Sequence, residues 1–160
     1  MSDKIQTIDF HAPNAGNQFA ESLHHTGFAI LHNHPIDYNL INNVYKDWET
    51  FFSSEEKYSF TFNPKTQDGY FPYRSENAKG YSAKDLKEFY HFYEFGKYPN
   101  NISGKTKQLY YELLGIGRIL LLWINANTPK MSLINSSVPL PEMIENSPMN
   151  LMRIIHYPPP

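Results

Sequence analysis

The chain has 160 residues, 41% of them hydrophobic and 19% charged, a balance ordinary for one globular domain. Its 14 Lys and Arg against 16 Asp and Glu give a net charge of -2, without the basic excess that non-specific nucleic-acid binding draws on. Cysteine is absent, which excludes disulfide scaffolds, thiolate zinc sites and thiol catalysis.

The opening residues, "MSDKIQTIDF", lack the apolar stretch of a secretory signal. The longest unbroken apolar run, Ile119 to Ile124, falls far short of the ~18 residues of a membrane span. These features predict a cytoplasmic protein with neither a membrane nor a nucleic-acid partner.

Taken in chain order, Ile5 to Phe10 reads as a short strand. "GNQFAESLHHTGFAIL" predicts a helix ending near Gly27, followed by a buried strand from Phe28 to Leu31. Phe19 and Leu23 lie four apart and share one helical face. Asp37 reads as the N-cap of a second helix, whose apolar stripe is Leu40, Ile41, Val44, Trp48, Phe51 and Phe52. Ser53 and Glu56 have capping-box spacing and predict another helical start at once.

From Asn63 to Lys84 periodicity gives way to Gly, Pro, Ser, Asn and aromatic residues, which predicts a functional or wrapping loop. "EFYHFYEF" reads as a strand. "SGKTKQLYYELLGIGRILLLWINANT" reads as one long amphipathic helix, weakened in the middle by Gly115 and Gly117. "VPLPEMIENS" adds a helical turn or two. Leu151 to Tyr157 form a last strand, closed by prolines that cannot donate to a ladder. Aromatic residues crowd between Phe51 and Tyr98, where they suit the junction of helices with a sheet or, for some, the wall of a substrate site.

Candidate chemistry is sparse. His32, His34 and Asp37 could be assembled into a metal site, but Pro35 interrupts the strand and Asp37 suits capping better. His24 and His25 point to different faces of their helix. No G-x-S-x-G turn, P-loop or dinucleotide loop is present, and the glycines of "GIGRIL" read as packing positions. The last strand says more. Alternation puts Leu151, Arg153, Ile155 and Tyr157 on one face, and Met152, Ile154 and His156 on the other. Buried polar groups need partners, so Arg153 and Tyr157 either look into a cavity holding an anion or face water. Spacing leaves both open.

In order along the chain, "IDF", "GFAILHNHPID", "FFSSEEK", "GYFPYRSENAKG", "DLKEFYHF" and "MRIIHYPPP" resemble the isopenicillin N synthase-like, iron(II)- and 2-oxoglutarate-dependent dioxygenases. The resemblance is to the N-terminal part of that family and covers essentially the whole chain. It implies an α+β fold: an N-terminal helical and strand region over residues 1–130, then over 131–160 the first strands of a double-stranded β-helix (jelly roll), truncated at Pro160 with its core incomplete. It also implies iron(II) held by two histidines and a carboxylate, the first pair as H-x-D or H-x-E, and 2-oxoglutarate gripped by the arginine of R-x-S.

None of the seven histidines is followed at the second position by Asp or Glu, and no arginine by Ser. No catalytic residue and no metal ligand is therefore expected within these 160 residues, and neither cofactor is expected to bind tightly to this chain alone. The resemblance carries over Tyr157 and Arg153 as positions that contact 2-oxoglutarate or line its cavity. It carries over Tyr70, Tyr73 and Arg74 as part of a loop bordering the substrate.

The implied activity is hydroxylation or desaturation of a small molecule, with an iron oxidase that needs no 2-oxoglutarate as the nearest rival. Whether these residues alone make an enzyme stays open. The other readings are a non-catalytic interaction module using an exposed sheet edge, or half of a split enzyme completed by a C-terminal polypeptide. An uncovered apolar strand predicts self-association or such completion.

Overall fold

The computed structural model describes residues 4–77, 80–133 and 137–159. Ala78 and Lys79 of the "GYFPYRSENAKG" segment and Pro160 of the terminal triplet lie outside them. The chain divides into two compact units, each discontinuous in sequence: the segment up to Asp37 with Tyr111–Ser147, and Tyr38–Tyr110 with the segment from Pro148 onward.

In the first unit, strand β1 (Thr7–Asp9) pairs in parallel with β2 (Ile30–His32), and helix α1 (Ala15–Thr26) connects them. Gly27 ends α1 in the left-handed conformation and donates its N–H to the Leu23 carbonyl, as the sequence signal predicts. Buried Ser22 ties the three elements together. Its hydroxyl donates to the Phe28 carbonyl at 2.7 Å and accepts from the Gln6 N–H at 3.1 Å. The strand after Gly27 is not buried as its composition suggests: Phe28 and Ile30 are exposed, and only the intervening residues turn inward. A two-stranded ribbon covered on one side leaves its other side to solvent, whatever its side chains.

Helix α3 (Lys105–Asn127) crosses the predicted weak point at Gly115 and Gly117 without a break. Its second half belongs to this unit, where Leu120, Trp123 and Ile124 pack on Ile8, Ala15 and Phe19. Trp123 meets Phe10 and Phe19 with ring centroids 5.2 and 5.8 Å apart. A β-carbon at Gly117 would stand in ordinary contact, 3.5 Å from Ile144 just beyond the short 3-10 turn Leu140–Met143, and one at Gly115 would meet nothing within 4 Å, so close packing requires glycine at neither position. By length and composition α3 could cross a membrane, which Ile119 to Ile124 alone could not; core helices of water-soluble folds meet the same criterion.

The second unit is a helix on a sheet. Strands β3 (Gly69–Phe71), β4 (Glu88–Phe92) and β5 (Met152–His156) lie in that order, antiparallel throughout. Helix α2 (Tyr38–Phe52) lays its apolar stripe on one face. Leu40, Val44, Trp48, Phe51 and Phe52 are buried, while Ile41 sits at the margin. Trp48 packs on Tyr90 at 4.9 Å, and its indole N–H donates to the Thr106 hydroxyl at 2.9 Å.

The capping-box expectation at Ser53 and Glu56 fails. The next element is a 3-10 helix, Glu55–Phe60, entered at Ser54, whose hydroxyl donates back to the Phe51 carbonyl at 2.9 Å. The segment from Asn63 to Lys84 is also less loop-like than its composition predicts, because β3 lies within it and joins the sheet.

Candidate functional site

Period-two alternation gives the β4–β5 pair two chemically different faces. Glu88, Tyr90 and Phe92 of β4 stand with Met152, Ile154 and His156 of β5 toward α2. Phe89 and His91 stand with Arg153 and Ile155 on the other face.

The inner face is organised by Glu88, an acid buried among aromatic rings. One carboxylate oxygen accepts from the Tyr70 hydroxyl at 2.5 Å and the Lys57 ammonium at 3.0 Å; the other meets His156 Nδ1 at 2.7 Å. Lys57 also donates to the Phe52 carbonyl at 2.7 Å, and the His156 ring stacks on Phe52. Burial alone would push the Glu88 carboxyl up. The donors from Tyr70, His156 and Lys57 outweigh it and hold the carboxyl below its ordinary range. Tyr70 responds oppositely: burial and the adjoining carboxylate drive its phenol far above the usual value. This is a structural cluster, in which the buried acid is satisfied by its own partners.

The outer face is covered over β3 and β4, where Phe71, Phe89 and His91 are buried, and exposed along β5 at Arg153 and Ile155. Phe62, Phe71 and Phe89 stack in a column, with successive ring centroids 4.1 and 4.4 Å apart. The Arg153 guanidinium lies over the last ring at 4.8 Å. Its Nε–H donates to His91 Nε2 at 2.8 Å, while His91 Nδ1 lies 2.9 Å from the Gln67 carbonyl. Burial, with the Arg153 charge beside it, holds the His91 imidazole below its ordinary range. Lys87 flanks the same face, but Asp85 at 2.8 Å and Glu76 at 3.6 Å occupy it. Arg153 makes no ion pair with any described residue. Tyr157, just past the strand, is 67% exposed.

The residues singled out from sequence therefore separate. Arg153 and Tyr157 share the exposed side of β5. Tyr73 and Arg74 are exposed at the end of β3, the guanidinium lying 5.3 Å from the Tyr73 ring centroid and the Arg74 N–H reaching the Lys87 carbonyl. Tyr70 does not join them. It is 1% exposed and turned to the opposite face by the alternation Tyr70–Phe71, where its hydroxyl donates to Glu88. Among the described residues, no three of His, Asp and Glu converge as a metal site would require, His32, His34 and Asp37 included. Sequence reading passed over Glu88 and His91. Their signal was present in "EFYHF", where an acid and an imidazole sit in an otherwise aromatic strand and must find partners.

Residues 5–112 match the family model described as the N-terminal region of the non-haem dioxygenases in morphine synthesis. The chain belongs to that family. Among solved structures, a protein from Shewanella oneidensis assigned as an oxygenase aligns over 98% of this chain and 55% of its own, with 42% identity and a TM-score of 0.86. A Caulobacter crescentus protein assigned to the 2OG-Fe(II) oxygenase family aligns over 99% of this chain and 57% of its own, with 24% identity and a TM-score of 0.71. The full-length Neurospora crassa T7H, solved with alpha-KG and thymine, has a TM-score of 0.68 at 16% identity, over 96% of this chain and 55% of its own. The last two likenesses establish fold alone. The chain thus spans little more than half the length of these structures, and no curated protein matches it significantly. The mixed helix–strand architecture expected from the resemblance is the family's.

Proposed function

We propose that this dioxygenase-family chain supplies the N-terminal scaffold and one pocket wall of an iron(II)- and 2-oxoglutarate-dependent oxidoreductase acting on a small molecule. In this reading residues 1–130 are the N-terminal region, and residues 131–160 begin the jelly-roll core. The outer face of β3–β4–β5 is the wall. Arg153 offers a cation for a carboxylate, Tyr157 a phenolic hydroxyl, and Tyr73 with Arg74 a rim that meets the substrate.

The observation that carries this reading is Arg153: an exposed guanidinium laid over the buried Phe89 ring, with no acidic partner among the described residues, in a chain of this family. Such a group binds carboxylates well because its planar fork matches their two oxygens. The described residues do not fit an iron site, so no step through the metal is assigned to them. Those ligands belong to residues beyond these 160, in the same or a second polypeptide. The uncovered side of β5, where Leu151 and Ile155 are exposed, suits the attachment of that part.

The test is to read the coding frame past Pro160 and express both lengths. The proposal expects H-x-D, a later His and R-x-S downstream, and succinate release from 2-oxoglutarate by the longer or paired form only. Succinate release with stoichiometric iron uptake by the 160 residues alone would overturn it. So would the absence of any such frame, which favours the interaction-module reading.

A further inference from the structure

His91 is buried, only 6% exposed, and lies on the strand that Arg153 pairs with. Its tautomer follows from its neighbours. The Gln67 carbonyl, 2.9 Å from Nδ1, can only accept, so Nδ1 carries the proton. Nε2 is then a bare lone pair, and at 2.8 Å it accepts the Nε–H of Arg153. The guanidinium is thus held in two ways at once: one face lies on Phe89, and one edge is tied to His91. Phe89 is itself fixed by its stack on Phe71 and Phe62. What stays unengaged among the described residues is the opposite edge, formed by the two terminal nitrogens.

We infer that His91 is a positioning residue, which orients Arg153 so that its terminal nitrogens form a ready-made two-point site for a small carboxylate. The inference deepens the proposed function and rests on it for the role of a carboxylate on this face. A flexible arginine loses rotamer freedom on binding; one already stacked and tied loses less. Two parallel N–H donors also favour a planar carboxylate over a neutral amide of equal size.

The experiment uses the 160-residue protein and glutarate as the probe, with NMR detection of the Arg153 Nε–H. In wild type that resonance should be shifted and protected from solvent exchange, and glutarate should move it saturably while glutaramide does not. His91→Gln keeps an acceptor near the Nε2 position and should leave affinity within about threefold. His91→Phe keeps the ring but removes the acceptor and should weaken glutarate at least about tenfold, as losing a hydrogen bond to a charged group does. Equal affinity in His91→Phe and wild type, or no saturable response in wild type, overturns the inference. Should His91→Phe fail to fold, the wild-type resonance decides: a freely exchanging Nε–H is enough to reject it. Succinate release is not read here, so this inference and the enzymatic proposal can fail separately.

Discussion

Glu88 and His156 face each other across the β4–β5 ladder, with Oε1 and Nδ1 2.7 Å apart, and so join the last strand to the core by a side-chain bond as well as by its backbone. The same carboxylate holds Lys57 and Tyr70, so three elements from distant parts of the sequence converge on one acid.

Removing that acid strands its donors. Glu88→Ala leaves the Tyr70 hydroxyl without its acceptor in the core and Lys57 with the Phe52 carbonyl in place of a carboxylate. The expected loss is about 3–5 kcal/mol, the usual cost of breaking one side of a buried ion pair. Urea denaturation of the variant against wild type measures it, and a loss below about 1 kcal/mol would contradict the central role given to Glu88.

Acid should weaken the fold in two stages. His91 is held below its ordinary value near 6.5, chiefly by burial and further by Arg153, against the opposing pull of the Gln67 carbonyl and Glu76. The unfolded chain therefore takes up this proton first; the contribution is complete above about pH 6.5 and is lost as pH falls through the folded value. Glu88 has the same sign at lower pH, because its carboxyl is also depressed, so its contribution is present above about 4.5 and lost below. Melting temperature should be level around neutrality and fall on acidification. His91→Gln should remove the upper stage and leave the lower one.

Two glycines should respond oppositely to alanine. Gly69 begins β3 at φ +109°, and a β-carbon there would stand 2.6 Å from the Phe60 carbonyl oxygen, with the Phe62 backbone close behind. Neither backbone can yield cheaply, so Gly69→Ala should destabilise by about 3 kcal/mol or more. Gly115 meets nothing within 4 Å of an added β-carbon and lies within α3. There alanine should stabilise by about 0.5–1 kcal/mol. Thermal melts of the two variants against wild type give both signs.

The Trp48–Thr106 bond offers a coupled pair. Thr106→Val leaves a buried indole N–H unsatisfied and should cost about 1–3 kcal/mol. Trp48→Phe removes that donor at the price of a cavity. In the double variant the losses should be less than additive, by about 0.5–1.5 kcal/mol. Strict additivity would mean that the bond contributes nothing.

Helices were the most legible part of this sequence, because their apolar spacing and terminal signals are local. Gly27 and the stripe from Leu40 to Phe52 show this. The two faces of β5 were legible as well, since alternation needs no partner to be read. What sequence could not give was pairing. Tyr70 reads as an exposed loop tyrosine until β3 is seen to join β4, which sends its ring toward Glu88. His91 reads as one of seven histidines until β5 brings Arg153 opposite it. Exposure was equally non-local: Phe28 and Ile30 have the composition of an interior strand in a ribbon with one open side.

The length of chain leading into β5 is constrained by what the strand carries. The Tyr110 hydroxyl donates to the Asn150 carbonyl at 3.3 Å, two residues before the ladder begins. Deleting or inserting one residue between that anchor and Met152 would invert the strand, pressing a guanidinium and a phenol against Trp48 and Phe52 while turning His156 outward. Natural length variants of this protein should therefore carry their insertions before Asn150, and those after it should come in pairs.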